Sequence, residues 1–297
     1  MKKILVTGAC GFIGSALVTQ LRRAGHAVTA CDLRNPQSIP DVIEKDAVDY
    51  FQQLMTVSSY QELAQDNHVD VIFHLAATPR MGLGAEYPQQ VIKNNTLSLL
   101  GALEYCRANP TTRLIFTSSS SVVWADSARS PYTLSKLMGE QLVSTYRATY
   151  GVQASSVRLY NVYGPGEADY GQWTTVVRQF KDCMLRAQPL VVYGDGHARR
   201  DFTHIDDAVS GLVAVMNDPR DKNIFELGSG TANISILELA RTFTPDPRKI
   251  VHAPARPWDF RVSVADVGAW PQSWVPQHRL RTHVEEWLER HSAELAV

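Results

Sequence analysis

The chain has 297 residues, a formal net charge of −1 at neutral pH, and 44% hydrophobic against 20% charged residues. That composition supports a sizeable buried core, and the lack of a net basic field argues against a nucleic-acid partner. No apolar run approaches the roughly 20 residues that cross a bilayer, so no membrane partner is expected.

The first strand is predicted over Lys3–Thr7. It ends on Gly8-Ala9-Cys10-Gly11-Phe12-Ile13-Gly14, which opens into a helix predicted over Ser15–Ala24. Three glycines so placed allow a tight strand-to-helix turn, close backbone approach to a pyrophosphate, and close packing of helix on strand. The helix N-terminus adds N–H groups and a partial positive charge. The second strand, Ala27–Asp32, ends on a carboxylate about 20 residues further on, suited to a ribose 2′-hydroxyl. In this context a dinucleotide site is favoured over an ordinary glycine-rich turn.

Further strands are predicted over Val69–Leu75, Arg113–Ser118 and Ala154–Leu159. Helices are predicted over Ser58–Gln65, Pro88–Arg107 and Tyr132–Tyr150. The alternation predicts an α/β fold, a Rossmann-type doubly wound parallel sheet that gathers ligands at the carboxyl ends of its strands. After Gly164-Pro165-Gly166 the pattern loosens. Residues 1–164, with a return segment at 201–228, are expected to form the dinucleotide-binding domain. Residues 165–200 and 229–297 are expected to form a smaller α/β substrate lobe. The start Met1-Lys2-Lys3-Ile4 carries no signal-like run, and Cys10, Cys31, Cys106 and Cys183 lack paired or metal-like spacing. A cytoplasmic protein with reduced thiols follows as the expectation. His68, His74 and His204 read as hydrogen-bonded strand-end residues, and no bound metal is expected. Asp206 and Asp207 read as helix caps, and Trp258, Trp270, Trp274 and Trp287 as packing residues.

Tyr132-Thr133-Leu134-Ser135-Lys136 carries the sharpest chemical signal. Four residues apart on a helix, Tyr132 and Lys136 share one face. A phenol titrates near pH 10, so a tyrosine base at neutral pH needs a depression of roughly 3 units, or about 4 kcal/mol. A fixed ammonium and an oxidised nicotinamide in a dry cleft supply that kind of field. The strand end Phe116-Thr117-Ser118-Ser119-Ser120-Ser121 offers hydroxyls to hold a substrate alcohol beside the phenol.

Taken together, these motifs resemble the extended short-chain dehydrogenase/reductase family in its nucleotide-sugar epimerase/dehydratase branch. The resemblance extends through His74-Leu75-Ala76-Ala77, Arg158-Leu159-Tyr160-Asn161-Val162-Tyr163-Gly164-Pro165, Tyr193-Gly194-Asp195-Gly196 and Arg200-Asp201-Phe202-Thr203-His204. It implies catalysis by Ser119, Tyr132 and Lys136, with Tyr132 as base and acid at the sugar hydroxyl. It implies NAD bound by Gly8, Gly11, Phe12, Ile13, Gly14, Asp32, Gln53, Leu54, Leu75, Ala76, Ala77, Asn95, Tyr132, Lys136 and Tyr160. Substrate contacts are implied for Ser119, Ser120, Asn161, Val176, Val192, Tyr193, Arg200, Arg256 and Asp259, with the two arginines on the diphosphate.

Dehydratases of the family carry an Asp-Glu pair just after the catalytic Thr, where this chain has Ser120-Ser121. Those serines offer no proton-transfer group of suitable pKa. The expectation is therefore 4-epimerisation, and the resemblance further implies a UDP-sugar substrate and a homodimer through Pro88–Arg107 and Tyr132–Tyr150. A 4,6-dehydratase, a 4-ketoreductase and a non-catalytic NAD-binding regulator stay open. Ser263, at the family's size-gating position, leaves N-acetylhexosamines open as substrates. The segment from Ser119 to Tyr132 is much shorter than in the epimerases the chain resembles. Arg34 beside Asp32 raises a 2′-phosphate, which the carboxylate repels, so NAD is favoured over NADP.

Overall fold

The computed structural model describes residues 1–33, 49–52 (backbone), 59–60, 68–124, 130–167, 174–231, 234–257 and 259–295. Six strands open the chain: β1 (Lys3–Thr7), β2 (Ala27–Asp32), β3 (Asp49–Gln52), β4 (Val71–His74), β5 (Arg113–Ser119) and β6 (Ala154–Leu159). With an edge strand at Ile224–Leu227 they form one seven-stranded sheet, in the order edge strand, β6, β5, β4, β1, β2, β3. Every pairing in it is parallel. The order reverses between β1 and β4, which is where an open α/β sheet leaves a crevice for ligand.

Side-chain alternation along these strands builds two cores. Ile4, Val6, Val71, Phe73 and Ile115 point to one face, where helices Phe12–Arg23 and Ile205–Asn217 contribute Leu17, Leu21, Val209 and Leu212. Leu5, Ile72, Leu114 and Phe116 point to the other, against Leu99 and Leu103 of helix Pro88–Ala108 and Val143 of helix Pro131–Tyr150. Strands covered on both faces explain the near-continuous apolar runs in the sequence. A third cluster comes from the second half, with Phe180, Val192, Leu239, Phe243, Val284 and Trp287 fully or nearly buried. Trp274 is also buried, and its indole N–H donates to the Asp207 carbonyl at 3.0 Å.

Helix boundaries follow local chemistry. Ser130 accepts the Thr133 N–H at 3.1 Å and Pro131 takes the first helical position, so helix Pro131–Tyr150 starts there. Gly151, at φ 68°, ends it in the left-handed conformation. At helix Ile205–Asn217 the cap is His204, whose ring nitrogen accepts the Asp206 N–H, whereas Asp206 and Asp207 stand in the first turn. The expectation that these two aspartates cap the helix is corrected accordingly. Cys10, Cys31, Cys106 and Cys183 all stand as thiols. No described helix is long and apolar enough to cross a membrane.

Candidate active site

At the carboxyl ends of β1, β4 and β5 a cleft of about 560 Å³ opens. Of the expected site residues, Gly8, Gly11, Phe12, Ile13, Gly14, Asp32, Leu75, Ala76, Ala77, Ser119, Ser120, Tyr132, Lys136 and Asn161 line it. Gly8 sits at φ +70°, and a Cβ there would lie 2.8 Å from the Ala76 nitrogen. Only glycine brings these two loops so close. Helix Phe12–Arg23 begins at Gly11 with no side-chain cap and no acidic residue in its first turn. Its N–H groups are thus left to an anion. Asp32 accepts the Cys10 N–H at 2.8 Å, tying the end of β2 to the glycine loop. This bare cradle with a carboxylate at its far rim fits a dinucleotide. Gln53 and Leu54 lie outside the described residues, as do Arg34 and Trp258.

Tyr132 is half-buried in the first turn of its helix, and Lys136 follows one turn later. The Lys136 ammonium lies 6.0 Å from the Tyr132 ring centroid and 5.0 Å from that of Phe116. It donates to the Thr117 carbonyl at 2.8 Å. Burial pulls its pKa down to about 8, against the opposing pull of Glu140. Ser119, at the end of β5, accepts from the Ser121 N–H at 3.2 Å and the Ser121 hydroxyl at 3.0 Å. With both lone pairs engaged, its own hydroxyl proton is left to donate. Gly84, on the short helix Met81–Glu86, packs so closely that a Cβ there would lie 2.8 Å from the Tyr132 nitrogen.

Further residues support this wall, and His74 is among them as the hydrogen-bonded strand-end histidine expected. His74 ends β4 fully enclosed, with Thr7 Oγ1 at 3.2 Å, the Tyr60 hydroxyl at 3.1 Å and Ser98 Oγ at 3.4 Å around its ring. Burial, then the Lys136 charge, takes its pKa down to about 3, so it stays neutral. Arg80 and Ser98 also line the cleft, and Arg80 holds a positive φ of 79°. Glu140, one turn beyond Lys136, accepts the Ser118 hydroxyl at 2.6 Å and two N–H groups of Arg158. Its spacing after Lys136 was the only available signal.

Other expected residues are placed elsewhere. Asn95 is buried behind the wall, where its side chain exchanges hydrogen bonds with the Thr78 backbone and donates to Ser135 Oγ at 2.9 Å. The Tyr160 side chain is buried away from the cleft, donating to Glu226 at 2.7 Å. Arg200 donates to the Phe260 carbonyl at 2.7 Å and stacks 4.1 Å from the Phe260 ring centroid. It contacts Asp259 at 3.4 Å. The Arg256 guanidinium lies 3.6 Å from the Tyr193 ring centroid. Val192 is fully buried in the third core, and Val176 packs against it. Ser263 is fully buried too, in register with Arg200. Among the described residues after Gly164, Phe260 is the one that lines the cleft. Asn161 does reach the cleft, at a φ of +33°, with its amide donating to the Asp201 carbonyl at 2.7 Å.

A glycine cradle at the sheet's reversal point, facing a tyrosine and lysine one turn apart, defines a dinucleotide-dependent enzyme of the short-chain dehydrogenase/reductase type. The profile of the NAD dependent epimerase/dehydratase family matches residues 4–228, and the chain belongs to that family. Its cofactor is NAD. The chain is 31% identical over 238 residues to an uncharacterized UDP-glucose epimerase, YtcB, of Bacillus subtilis, covering 73% of each protein. It is 30% identical to a UDP-N-acetyl-alpha-D-glucosaminuronate decarboxylase of Bacillus cytotoxicus, over 85% of this chain and 84% of that one. Among solved structures, the UDP-glucose 4-epimerase of Thermotoga maritima, crystallised with UDP-glucose, superposes with a TM-score of 0.85 at 25% identity, covering 99% of both chains. Epimerases, decarboxylases and dehydratases all occur in this family of NAD-dependent enzymes.

Proposed function

We propose that the protein is an NAD-dependent nucleotide-sugar 4-epimerase that transiently oxidises C4 of a UDP-hexose or UDP-N-acetylhexosamine. One observation carries the reading. Ser119, Tyr132 and Lys136 share a single cleft with the dinucleotide cradle, while the positions just after Ser119 hold buried serines. Bound in that cradle, NAD supplies reversible two-electron oxidation at the sugar carbon. Tyr132 takes the proton of the 4-hydroxyl and later returns it. Ser119 donates to the same oxygen and holds it in line with the phenol. Lys136 places a positive charge beside the phenol and so favours its ionised form. Ser120 and Ser121 provide no acid to expel a neighbouring hydroxyl as water, which favours epimerisation over dehydration.

Residues 165–200 and 229–297 serve as the lobe at the substrate end of the cleft, a role supported by Phe260 in its lining. A homodimer through helices Pro88–Ala108 and Pro131–Tyr150 belongs to the same reading, supported by the exposed Leu97, Leu134 and Met138 on them. A cytoplasmic setting suits four cysteines that all stand as thiols.

The test is incubation of the enzyme and NAD with UDP-glucose, UDP-N-acetylglucosamine and UDP-glucuronate, followed by mass and NMR analysis. An epimer of unchanged mass is expected. A product lighter by water or by carbon dioxide replaces the reading with dehydration or decarboxylation. Tyr132→Phe should keep NAD binding while turnover drops about 10²–10⁴-fold.

A further inference from the structure

Behind the wall that carries Ser119 lies an enclosed set of charges, of which the catalytic reading uses only Lys136. Lys136 and Glu140 stand one turn apart on helix Pro131–Tyr150 and are 4% and 5% exposed. Their heads hold consecutive residues of β5. The Lys136 ammonium donates to the Thr117 carbonyl at 2.8 Å, and Glu140 accepts the Ser118 hydroxyl at 2.6 Å. Arg158 of β6 donates to Glu140 at 2.9 and 2.8 Å and to Glu226 of the edge strand at 3.1 Å. Glu226 is buried as well, and it accepts from the Tyr160 hydroxyl and the Asp266 N–H.

The balance of charge decides what this set does. Glu140 and Glu226 share the single Arg158 guanidinium, which leaves one negative charge enclosed. A net charge in the interior is costly, whereas a balanced and hydrogen-bonded set is tolerated. The Lys136 ammonium supplies the balance. Other groups around Lys136 do not bear a compensating charge: His74 at the end of β4 stays neutral, Thr117 offers a carbonyl, and Phe116 a ring face at 5.0 Å. Tyr132, on the same helix, is the group to be ionised. Burial lowers the Lys136 pKa to about 8, and Glu140 is the charge that opposes it. Glu140 stands behind the cleft lining with both oxygens engaged, so it does not reach a sugar itself.

We propose that Glu140 is a positioning residue of the reaction centre, whose carboxylate keeps Lys136 in the ammonium form that favours the Tyr132 phenolate. The assignment rests on the catalytic reading of Tyr132 and Lys136. Without the carboxylate the enclosed set carries an excess positive charge, which Lys136 sheds by becoming a neutral amine. Arg158 acts in the opposite sense, because it competes with Lys136 for the same carboxylate.

The ionisation of Lys136 is read by NMR of lysine labelled in its side chain, the resonance being assigned by its loss in Lys136→Met. In Glu140→Gln the titration should move down by about one pH unit or more. Glu140→Asp disturbs the same packing but keeps the charge, and should titrate close to wild type. Arg158→Met should move the titration up. The alkaline limb of kcat/KM should follow, so that the loss in Glu140→Gln is about fivefold larger at pH 8 than at pH 6. Circular dichroism checks the fold of each variant. A titration unmoved in folded Glu140→Gln, or moved alike by both substitutions at this position, overturns the proposal. Should Glu140→Gln not fold, a titration that fails to rise in Arg158→Met does so. Shifts as expected in a protein that yields no epimer remove the catalytic reading and leave the hold of Glu140 on Lys136 standing.

Discussion

Arg158 grips Glu140 through two N–H donors, at 2.9 and 2.8 Å, directly behind the wall that carries Ser119 and Lys136. Glu140 belongs to the helix that carries Tyr132 and Lys136 and Arg158 to β6, and Arg158 continues to Glu226 of the edge strand at 3.1 Å. The pair with Glu140 is the chief reason the Arg158 cation is held more firmly than an ordinary arginine. One ionic chain thus links three elements beneath the site.

Removing one member of that chain leaves the other charge short of a partner. Glu140→Ala is expected to destabilise the fold by about 3 kcal/mol. The double variant with Arg158→Met should cost clearly less than the two single losses added together. Urea unfolding of the four proteins checks this. Additive losses would mean that the pair is screened by solvent.

The cradle yields a sharper contrast. Gly8→Ala places a Cβ against backbone at Ala76 and Leu75 and keeps a φ of +70°. The conformation alone costs about 1–2 kcal/mol, and the displaced loop should weaken NAD binding about tenfold or more. Gly25, at φ +80° with nothing within 4 Å of its Cβ position, is the control. Gly25→Ala should lower the melting temperature yet leave NAD affinity unchanged, as read by cofactor titration.

Burial on both faces leaves apolar runs that made strands such as β1 and β4 legible, and β1, β2 and β6 fall at the expected bounds. The short helix Met81–Glu86 was not legible. Its sequence holds two glycines, and its start at Arg80 has no side-chain cap. At the site, Tyr132, Lys136 and Ser119 could be read because one turn of helix and one strand end fix their relation. Arg200 and Arg256 were named by motif, but a motif does not say where a guanidinium points. Here Phe260 and Tyr193 occupy them. Glu140 depends on partners from several elements, which no local pattern announces, whereas His74 stands hydrogen-bonded at its strand end as expected.

Lys136 ties activity and stability to pH with opposite signs. With a folded pKa near 8, below the ordinary lysine value of 10.5, the folded chain releases this proton before the unfolded chain does. Between those values the unfolded state binds more protons, so this residue's contribution to stability rises with pH. Activity should move the other way, because the ammonium beside Tyr132 disappears. kcat/KM is expected to fall as pH climbs through about 8. Lys136→Met should show low activity throughout and no stability gain over that window. A wild-type profile that stays flat to pH 10 would remove the ammonium from the mechanism.

His74 sets an acid limit of its own. Its folded pKa of about 3 lies below the ordinary 6.5, and burial is the main cause. Between those values the unfolded chain takes up a proton that the folded chain refuses, so stability falls as pH drops through the window. His283 shares the behaviour at about 3, through burial and Lys181, whose ammonium nitrogen stands 2.8 Å from its Nε2. The two histidines occupy separate clusters, so their contributions should add. His74→Gln is expected to lose stability at pH 7, because Thr7, Tyr60 and Ser98 lose their shared partner, yet to weaken less steeply between pH 6.5 and 4. Urea midpoints at several pH values for wild type, His74→Gln, His283→Gln and the double variant test this. An unchanged slope in His74→Gln would show that this imidazole gains its proton within the fold.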